Sequence, residues 1–411
     1  MEYNVNSLNK QIMGTKYLYA NKIVRIFNNH KHVLQLIGQG KFRRALNLLY
    51  TIYFVPGGEG TMQVAYKLGL GKFMTKFPQF APMPRYIEIE VTTICDKKCI
   101  FCEHTHWRTG SQEMRHMTFD EFKHICNQLP NVRWVNLTGE GSAFLNKDYF
   151  KMLRHLREKY DTSIYLVDHL NDLTKNEIDE LIEIVDGLYL SIDGATKETY
   201  EKIKVGCSFD NVVSNLKYII ERKRQLKRYK PDLNIRYVII KDNLHEVPEF
   251  IDLINSIATT KDIDVGMINF TGLLYFDVIK EWYVDKFPEE IVNKIRKRIK
   301  GSIPFRFEHC IDELNPPAHR CYAWLEPYIM MGGYVMPCCS VMMSNKRDFL
   351  RKYAFGNIFE QSFKEIWNSE RYKAFRKTLA DPNAPVPILC AGCRGFYTRP
   401  REKQCGIAKD I

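Results

Sequence analysis

The sequence predicts an α/β fold: a partial, TIM-like (β/α)6 barrel over 85–300, preceded by a basic helical extension over 1–84 and followed by an irregular, cysteine-bearing segment over 301–411. Three observations predict it. Strand-like and helix-like stretches alternate between Arg85 and Lys300. The strand-like stretches alternate apolar and polar residues, as half-buried strands do. Three closely spaced cysteines, Cys95, Cys99 and Cys102, follow the first of these stretches, at the C-terminal strand end where parallel barrels carry their chemistry.

The extension up to Pro84 reads as helical. Tyr19, Ile23, Ile26 and Phe27 recur at helical spacing, and so do Phe42, Ala45, Leu46 and Leu49, with Arg43, Arg44 and Asn47 expected on the opposite side. Pro56, Gly57 and Gly58 should stop that helix, and Pro78, Pro82 and Pro84 mark a linker. Before Arg85 there are eleven bases and only two acids, so most of the net charge of +12 lies here. Two readings stay open: a helical cap on the next domain, or an amphipathic element attracted to phosphates, an anionic membrane surface included.

The six strand-like stretches are Tyr86–Thr92, Arg133–Thr138, Ser163–Asp168, Gly187–Asp193, Asn234–Ile240 and Asp264–Phe270. Helices are expected between them, among them Thr118–Gln128, Asp148–Glu158 and Phe209–Lys227. Right-handed crossovers put such helices outside a parallel sheet. In the first strand Ile87, Ile89 and Val91 oppose Glu88, Glu90 and Thr92; in the fourth Leu188, Leu190 and Ile192 oppose Tyr189, Ser191 and Asp193. The apolar faces should meet the helices and the polar ones line a cavity, a solvated edge being the alternative for Glu88 and Glu90. Gly139–Glu140–Gly141, Asp168–His169, Asp193 and Asn269 fall at expected C-terminal strand ends, which makes Asp193 a catalytic candidate beside Asp168 and His169.

The composition is that of a folded protein, with 45% apolar and 26% charged residues. No run approaches the roughly 18–20 apolar residues that span a bilayer. The longest, Ala45 to Val55, is interrupted by Asn47 and Thr51. The N-terminus lacks a secretory pattern, so a cytoplasmic location is expected, with peripheral membrane attachment allowed by the basic extension. Twelve cysteines in that compartment point to metal ligation rather than disulfides.

Thiolates are the usual ligands of iron–sulfur cubanes. Three cysteines in one loop with no fourth nearby can hold three irons and leave the fourth open to a chelating small molecule. A zinc site completed by His104 or His106 is the competing reading. The run Ile89–Glu90–Val91–Thr92–Thr93–Ile94–Cys95 through Cys102, with aromatic Phe101 before the third cysteine, resembles the cluster loop of the radical S-adenosylmethionine (SAM) superfamily. Thr138–Gly139–Glu140–Gly141 is similar to the family's glycine-rich turn for the methionine amino group, although Ser142–Ala143 stand where Glu-Pro is usual. Leu190–Ser191–Ile192–Asp193–Gly194 with Tyr200–Glu201–Lys202–Ile203–Lys204 resembles the fourth-strand segment of peptide-modifying members, in which the serine and a basic residue hold the methionine carboxylate. Lys204 stands where arginine is usual. The third strand ends Val167–Asp168–His169 where Thr-Asn-Gly is common, which makes Asp168 and His169 candidates for substrate contact or proton transfer, or else structural residues.

The resemblance extends to the C-terminal segment. Cys321, Gly333 and Cys338, then Gly356–Asn357–Ile358, Glu365–Ile366–Trp367–Asn368–Ser369 and the pair Cys390 and Cys393 look like the auxiliary-cluster extension of the SPASM/twitch subgroup. It implies one auxiliary [4Fe–4S] cluster on Cys321, Cys338, Cys390 and Cys393, with Cys339 able to replace Cys338. A zinc ribbon is the competing reading. Cys126 and Cys207 read as ordinary buried residues, and Cys310 and Cys405 as spare cysteines.

What the family implies is reductive cleavage of SAM at the open iron, hydrogen abstraction by a 5′-deoxyadenosyl radical, and passage of the substrate's electron to the second cluster. A reductant such as flavodoxin or ferredoxin would be the partner. The basic extension allows a lipid-linked or phosphorylated substrate. A peptide maturase is an alternative, weakened because 1–84 lacks the strand signals of a leader-binding domain. An RNA-modifying enzyme is another, because 222–230 and 294–300 carry basic runs, but no recognised nucleic-acid motif accompanies them and no DNA partner is expected.

Overall fold

The structure is a computed structural model, and it describes residues 27, 29–54, 77, 81–107, 114–259, 265–273, 277–308, 323–380 and 384–390. Nine strands occur among them: β1 (Tyr86–Glu90), β2 (Trp134–Thr138), β3 (Ser163–Asp168), β4 (Gly187–Ser191), β5 (Asp232–Ile239), β6 (Met267–Gly272), β7 (Phe305–Glu308), β8 (Tyr328–Met330) and β9 (Tyr334–Met336). The first six lie at or within a few residues of the predicted positions. β7 was not predicted: the barrel pattern seemed to end at Lys300, yet Phe305 and Phe307 carry it one strand further.

The described residues cluster into two compact units. One takes in 95–107 and the chain from Tyr165 to 308; the other takes in 29–54, 81–94, 114–164 and 323–390. In the first, β3, β4, β5, β6 and β7 pair in that order, all parallel. Their apolar face is closed. Leu188, Leu190, Ile235, Tyr237, Ile268, Phe270, Phe305 and Phe307 are all buried. Tyr237 packs its ring on Phe250 of the helix Val247–Ile257 at 4.6 Å between centroids. Tyr189, Ser191, Arg236 and Arg306, on the opposite face, are only half-buried.

In the second unit β1 pairs in parallel with both β2 and β8, and β8 turns back antiparallel onto β9. Glu88 and Glu90 are buried, so the solvated edge is excluded. Helices start where short polar side chains cap them. Thr118 with Glu121, Thr174 with Glu177 and Ser362 with Glu365 form reciprocal capping boxes.

The basic extension is described only over its helices 29–38 and Phe42–Phe54, besides isolated residues and 81–84. Their buried contacts are Val33, Leu36, Ala45 and Leu48. This rotates the predicted face. Phe42 and Leu46, expected inside, are exposed, whereas Asn47, expected outside, is buried and donates to the Asp161 carbonyl at 2.6 Å. Helical spacing fits either stripe of this doubly apolar segment; only the partner surface selects one. No helix among the described residues is long and apolar enough to cross a membrane.

Candidate active site

The cysteine loop is fixed by backbone hydrogen bonds to the end of the helix Lys197–Ile203. Lys98 N–H donates to the Val205 carbonyl (2.9 Å) and Ile100 N–H to the Ile203 carbonyl (3.0 Å). Lys97 is buried and adds an ion pair, its ammonium 2.9 Å from both Asp96 and Asp172. Gly206 has φ +95° beside the Lys97 stem, a conformation that side chains other than glycine's rarely adopt. Within the loop the Cys102 N–H donates to the Cys99 carbonyl at 3.2 Å.

Cys95, Cys99 and Cys102 form no disulfide, and each is partly buried. Burial pushes the Cys99 and Cys102 thiols above their usual range, and the Lys204 ammonium pulls both back. Among the described residues no three His, Cys, Asp or Glu side chains converge on a single-ion position. A cubane needs no such convergence, because each thiolate binds a different corner. One ring nitrogen of His106 is engaged by the Ile100 carbonyl. Three thiols on a braced loop, beside a buried cation that favours their ionised form, fit an iron–sulfur cluster.

Lys204 is the centre of the polar arrangement. Its ammonium donates to Ser191 Oγ at 2.8 Å and lies 2.8 Å from Asp193 Oδ2, and it sits over the Phe101 ring at 5.6 Å. Burial opposes its charge, but the Asp193 carboxylate and the Cys99 thiol hold its pKa well above the usual lysine range. Asp193 Oδ1 accepts the Val238 N–H at 2.6 Å, and its Oδ2 also accepts from Ser191. It positions Ser191 and Lys204. Phe101 packs against the cluster of Ile203, Ile240, Leu273 and Ile279.

Asp168 and His169 turn toward their own backbone. Asp168 Oδ1 accepts the Leu170 N–H at 2.6 Å, and His169 Nδ1 accepts the Asn171 N–H at 3.1 Å, in a turn where Leu170 has φ +60°. Burial raises the Asp168 carboxyl. Asn269 lies within β6 rather than at its end.

Two braces escaped the sequence reading. Asn243 donates to the carbonyls of Asp193 (3.0 Å) and Val238 (2.9 Å) and accepts from Ile240 N–H (2.8 Å). Glu246 accepts from Ala195 N–H (2.7 Å) and from the hydroxyls of Thr196 and Thr199, both at 2.6 Å. Their partners lie up to about fifty residues away, so no local pattern marks them.

The glycine-rich turn belongs to the other unit. A Cβ on Gly141 would lie 2.6 Å from the Ile94 carbonyl oxygen, and one on Gly139 2.7 Å from the Glu90 side chain. The glycines therefore let the turn lie directly on the end of β1. Glu140 N–H donates to Glu90 Oε1 at 3.3 Å, and Arg347 binds Glu90 at 2.6 Å while lying 3.7 Å from Glu140.

In the same unit Cys338, just after the β8–β9 hairpin, and Cys390 are buried and form no disulfide. Asn345 draws their segments together, donating to the carbonyls of Val341 (3.0 Å) and Leu389 (3.2 Å). The Cys339 thiol is hydrogen-bonded to Glu88 and driven well up by burial and by that carboxylate. Cys321, Cys393, Cys310 and Cys405 lie outside the described residues. The motif between the cysteines closes the hairpin. Gly333 has φ +85°, and a Cβ there would meet Asn357 and Phe359, while Ile358 N–H donates to the Gly333 carbonyl at 2.8 Å. Trp367 stacks on buried Arg376, which also lies against Trp324 and Tyr372.

The chain matches the family model of the radical SAM superfamily over residues 89–254 and that of the SPASM iron–sulfur cluster-binding domain over 321–394. It is 21% identical to a tungsten-containing aldehyde ferredoxin oxidoreductase cofactor-modifying protein of Pyrococcus furiosus, over 71% of this chain and 83% of that one. It is 23% identical to an AdoMet-dependent heme synthase of Methanosarcina barkeri, over 76% and 91%. Among solved structures, SuiB of Streptococcus suis bound to SAM superposes with a TM-score of 0.55 at 18% identity, covering 84% of this chain and 78% of that one, which shows a shared fold. SAM, a [4Fe–4S] cluster and auxiliary iron–sulfur binding come with the two matched domains. The chain belongs to the radical SAM superfamily, in its SPASM-containing branch.

Proposed function

We propose that this enzyme oxidises or crosslinks its substrate after removal of a hydrogen atom, with one auxiliary [4Fe–4S] cluster as the electron acceptor. The observation that carries the reading is that one chain holds both the braced Cys95/Cys99/Cys102 loop with its Ser191–Lys204 pair and the buried Cys338 and Cys390 of a second thiol set. When bound, SAM and the first cluster supply a 5′-deoxyadenosyl radical, and the second cluster supplies a one-electron sink. Lys204 and Ser191 orient the methionine carboxylate, Asp193 keeps Lys204 in place, and Phe101 shields that end from water. A substrate that has lost a hydrogen atom completes a two-electron oxidation by giving up one further electron and one proton. A small reductant protein such as flavodoxin or ferredoxin would prime the cycle. Cofactor-like small molecules are supported as substrates by the two relatives above, a cofactor-modifying protein and a heme synthase. A peptide substrate is the second reading, supported by the SuiB-like fold.

The test is iron content and reductive SAM cleavage after anaerobic reconstitution. Wild type should hold about eight irons and cleave SAM. Changing Cys95, Cys99 and Cys102 together to Ala should remove about four irons and all cleavage. Changing Cys338 and Cys390 to Ala should remove the other set and leave cleavage in place but abolish product. Wild type with about four irons would contradict the two-cluster reading.

The N-terminal helices support attachment to an anionic bilayer. Leu34, Phe42 and Leu46 are exposed beside Lys31, Lys41 and Arg43. Failure to sediment with phosphatidylserine vesicles at low salt would end that proposal.

A further inference from the structure

Pairing across the first unit aligns four polar residues into one row. Ser191 on β4 stands opposite Arg236 on β5, Arg236 opposite Asn269 on β6, and Asn269 opposite Arg306 on β7. Residues in register on parallel strands share a face, and this is the half-buried polar face, opposite the aromatic core. The row starts at the serine of the Lys204 site and contains two guanidinium groups and no carboxylate.

The surroundings hold these groups in position. Arg306 Nε donates to Asn269 Oδ1 at 2.7 Å. The Arg236 guanidinium lies over the Tyr189 ring at 5.6 Å, and Tyr189 meets Tyr165 at 6.1 Å between centroids. Arg236 Nε and Thr271 Oγ1, the latter two positions beyond Asn269 on the same face, are buried and have no hydrogen-bond partner in the protein. Asp193 is engaged by Lys204 and Val238, and Glu308 stands two positions along β7 from Arg306, in register with Thr271. A buried guanidinium N–H without an acceptor is costly even where the rest of the side chain is half-buried, and a carboxylate or phosphate is the group whose geometry matches its fork.

We infer that Arg236, supported by Asn269 and Arg306, binds an anionic group of the substrate, a carboxylate or a phosphate, next to the SAM carboxylate site, with Tyr165 and Tyr189 forming an aromatic wall beside it. This rests on the radical SAM reading of the same strands and adds a substrate class to it.

The experiment uses the full reconstituted chain and titrates inorganic phosphate and succinate separately by calorimetry, with SAM as a third ligand. Saturable binding of either anion is expected, phosphate and succinate distinguishing the two anion classes. Arg236→Gln should weaken it at least about tenfold, and Arg236→Lys less, while SAM affinity stays within about twofold. Arg306→Gln should give a smaller loss, and it serves as the test if Arg236→Gln does not fold. The inference is overturned if neither anion saturates, if both Gln variants bind as wild type does, or if SAM affinity falls in parallel with anion affinity. Wild type that fails to cleave SAM under reduction would instead count against the enzyme reading.

Discussion

Each unit of the molecule contains a buried cation–carboxylate pair, and the two differ in what surrounds the cation. Arg347 binds Glu90 at 2.6 Å, Glu90 also accepts the Met331 N–H at 2.7 Å, and Glu140 lies 3.7 Å from Arg347. That guanidinium ties β1, the turn after β2 and the segment after β8 into one knot. Lys204 binds Asp193 and Ser191 beside two cysteines and an aromatic ring. An ammonium is a point charge that can turn from one acceptor to another, whereas a planar guanidinium keeps the geometry of its fork. Burial and pairing are therefore shared by a structural site and a ligand site. The reactive neighbours, and the freedom to exchange partners, distinguish them.

The largest effect should follow loss of the structural cation. Arg347→Met leaves Glu90 buried without its partner and should cost about 3–5 kcal/mol in urea unfolding. SAM binding by the fraction that remains folded should fall less than in Lys204→Met, because Arg347 reaches the glycine-rich turn only through Glu90 and Glu140. Lys204→Met should instead weaken SAM binding by about ten- to a hundredfold, with Lys204→Arg recovering much of it. Equal stability losses in the two variants, with SAM affinity untouched in both, would break the comparison. Gly141→Ala tests the turn that this knot supports. With a Cβ 2.6 Å from the Ile94 oxygen, the turn must shift, at about 1–3 kcal/mol in the unfolding curve.

The smallest effect concerns pH. His116 bonds Thr92 at 2.8 Å, at the end of β1, and burial followed by the Lys147 charge lowers its pKa. The unfolded state then binds more protons than the folded one below about pH 6.5, so stability falls as pH drops through that value toward the folded pKa. His116→Gln should flatten this part of the pH–stability curve. An unchanged slope would assign it to other groups.

The cysteine loop, the six predicted strands and the capped helix starts were legible because each is local: a spacing, a period of two, or a Thr or Ser three residues before a Glu. The Ser191–Lys204 pair was also legible, through its resemblance to a family segment. Asp168 and His169 show the limit. Their residue types were visible, but not the turn in which Asp168 Oδ1 and His169 Nδ1 each accept a backbone N–H. Asn47 shows another, because a helix with two apolar stripes does not say which one will be covered.

By itself, then, the sequence determined the α/β alternation, the three-thiol loop and the existence of a second thiol set, since local periodicity and spacing are properties of the chain alone. The tertiary structure decided which residues share a row, which of Cys338 and Cys339 is held by Glu88, and that Arg236, Asn269 and Arg306 stand in line. Register between strands is set by hydrogen bonds joining residues far apart in sequence, and no local pattern carries that information.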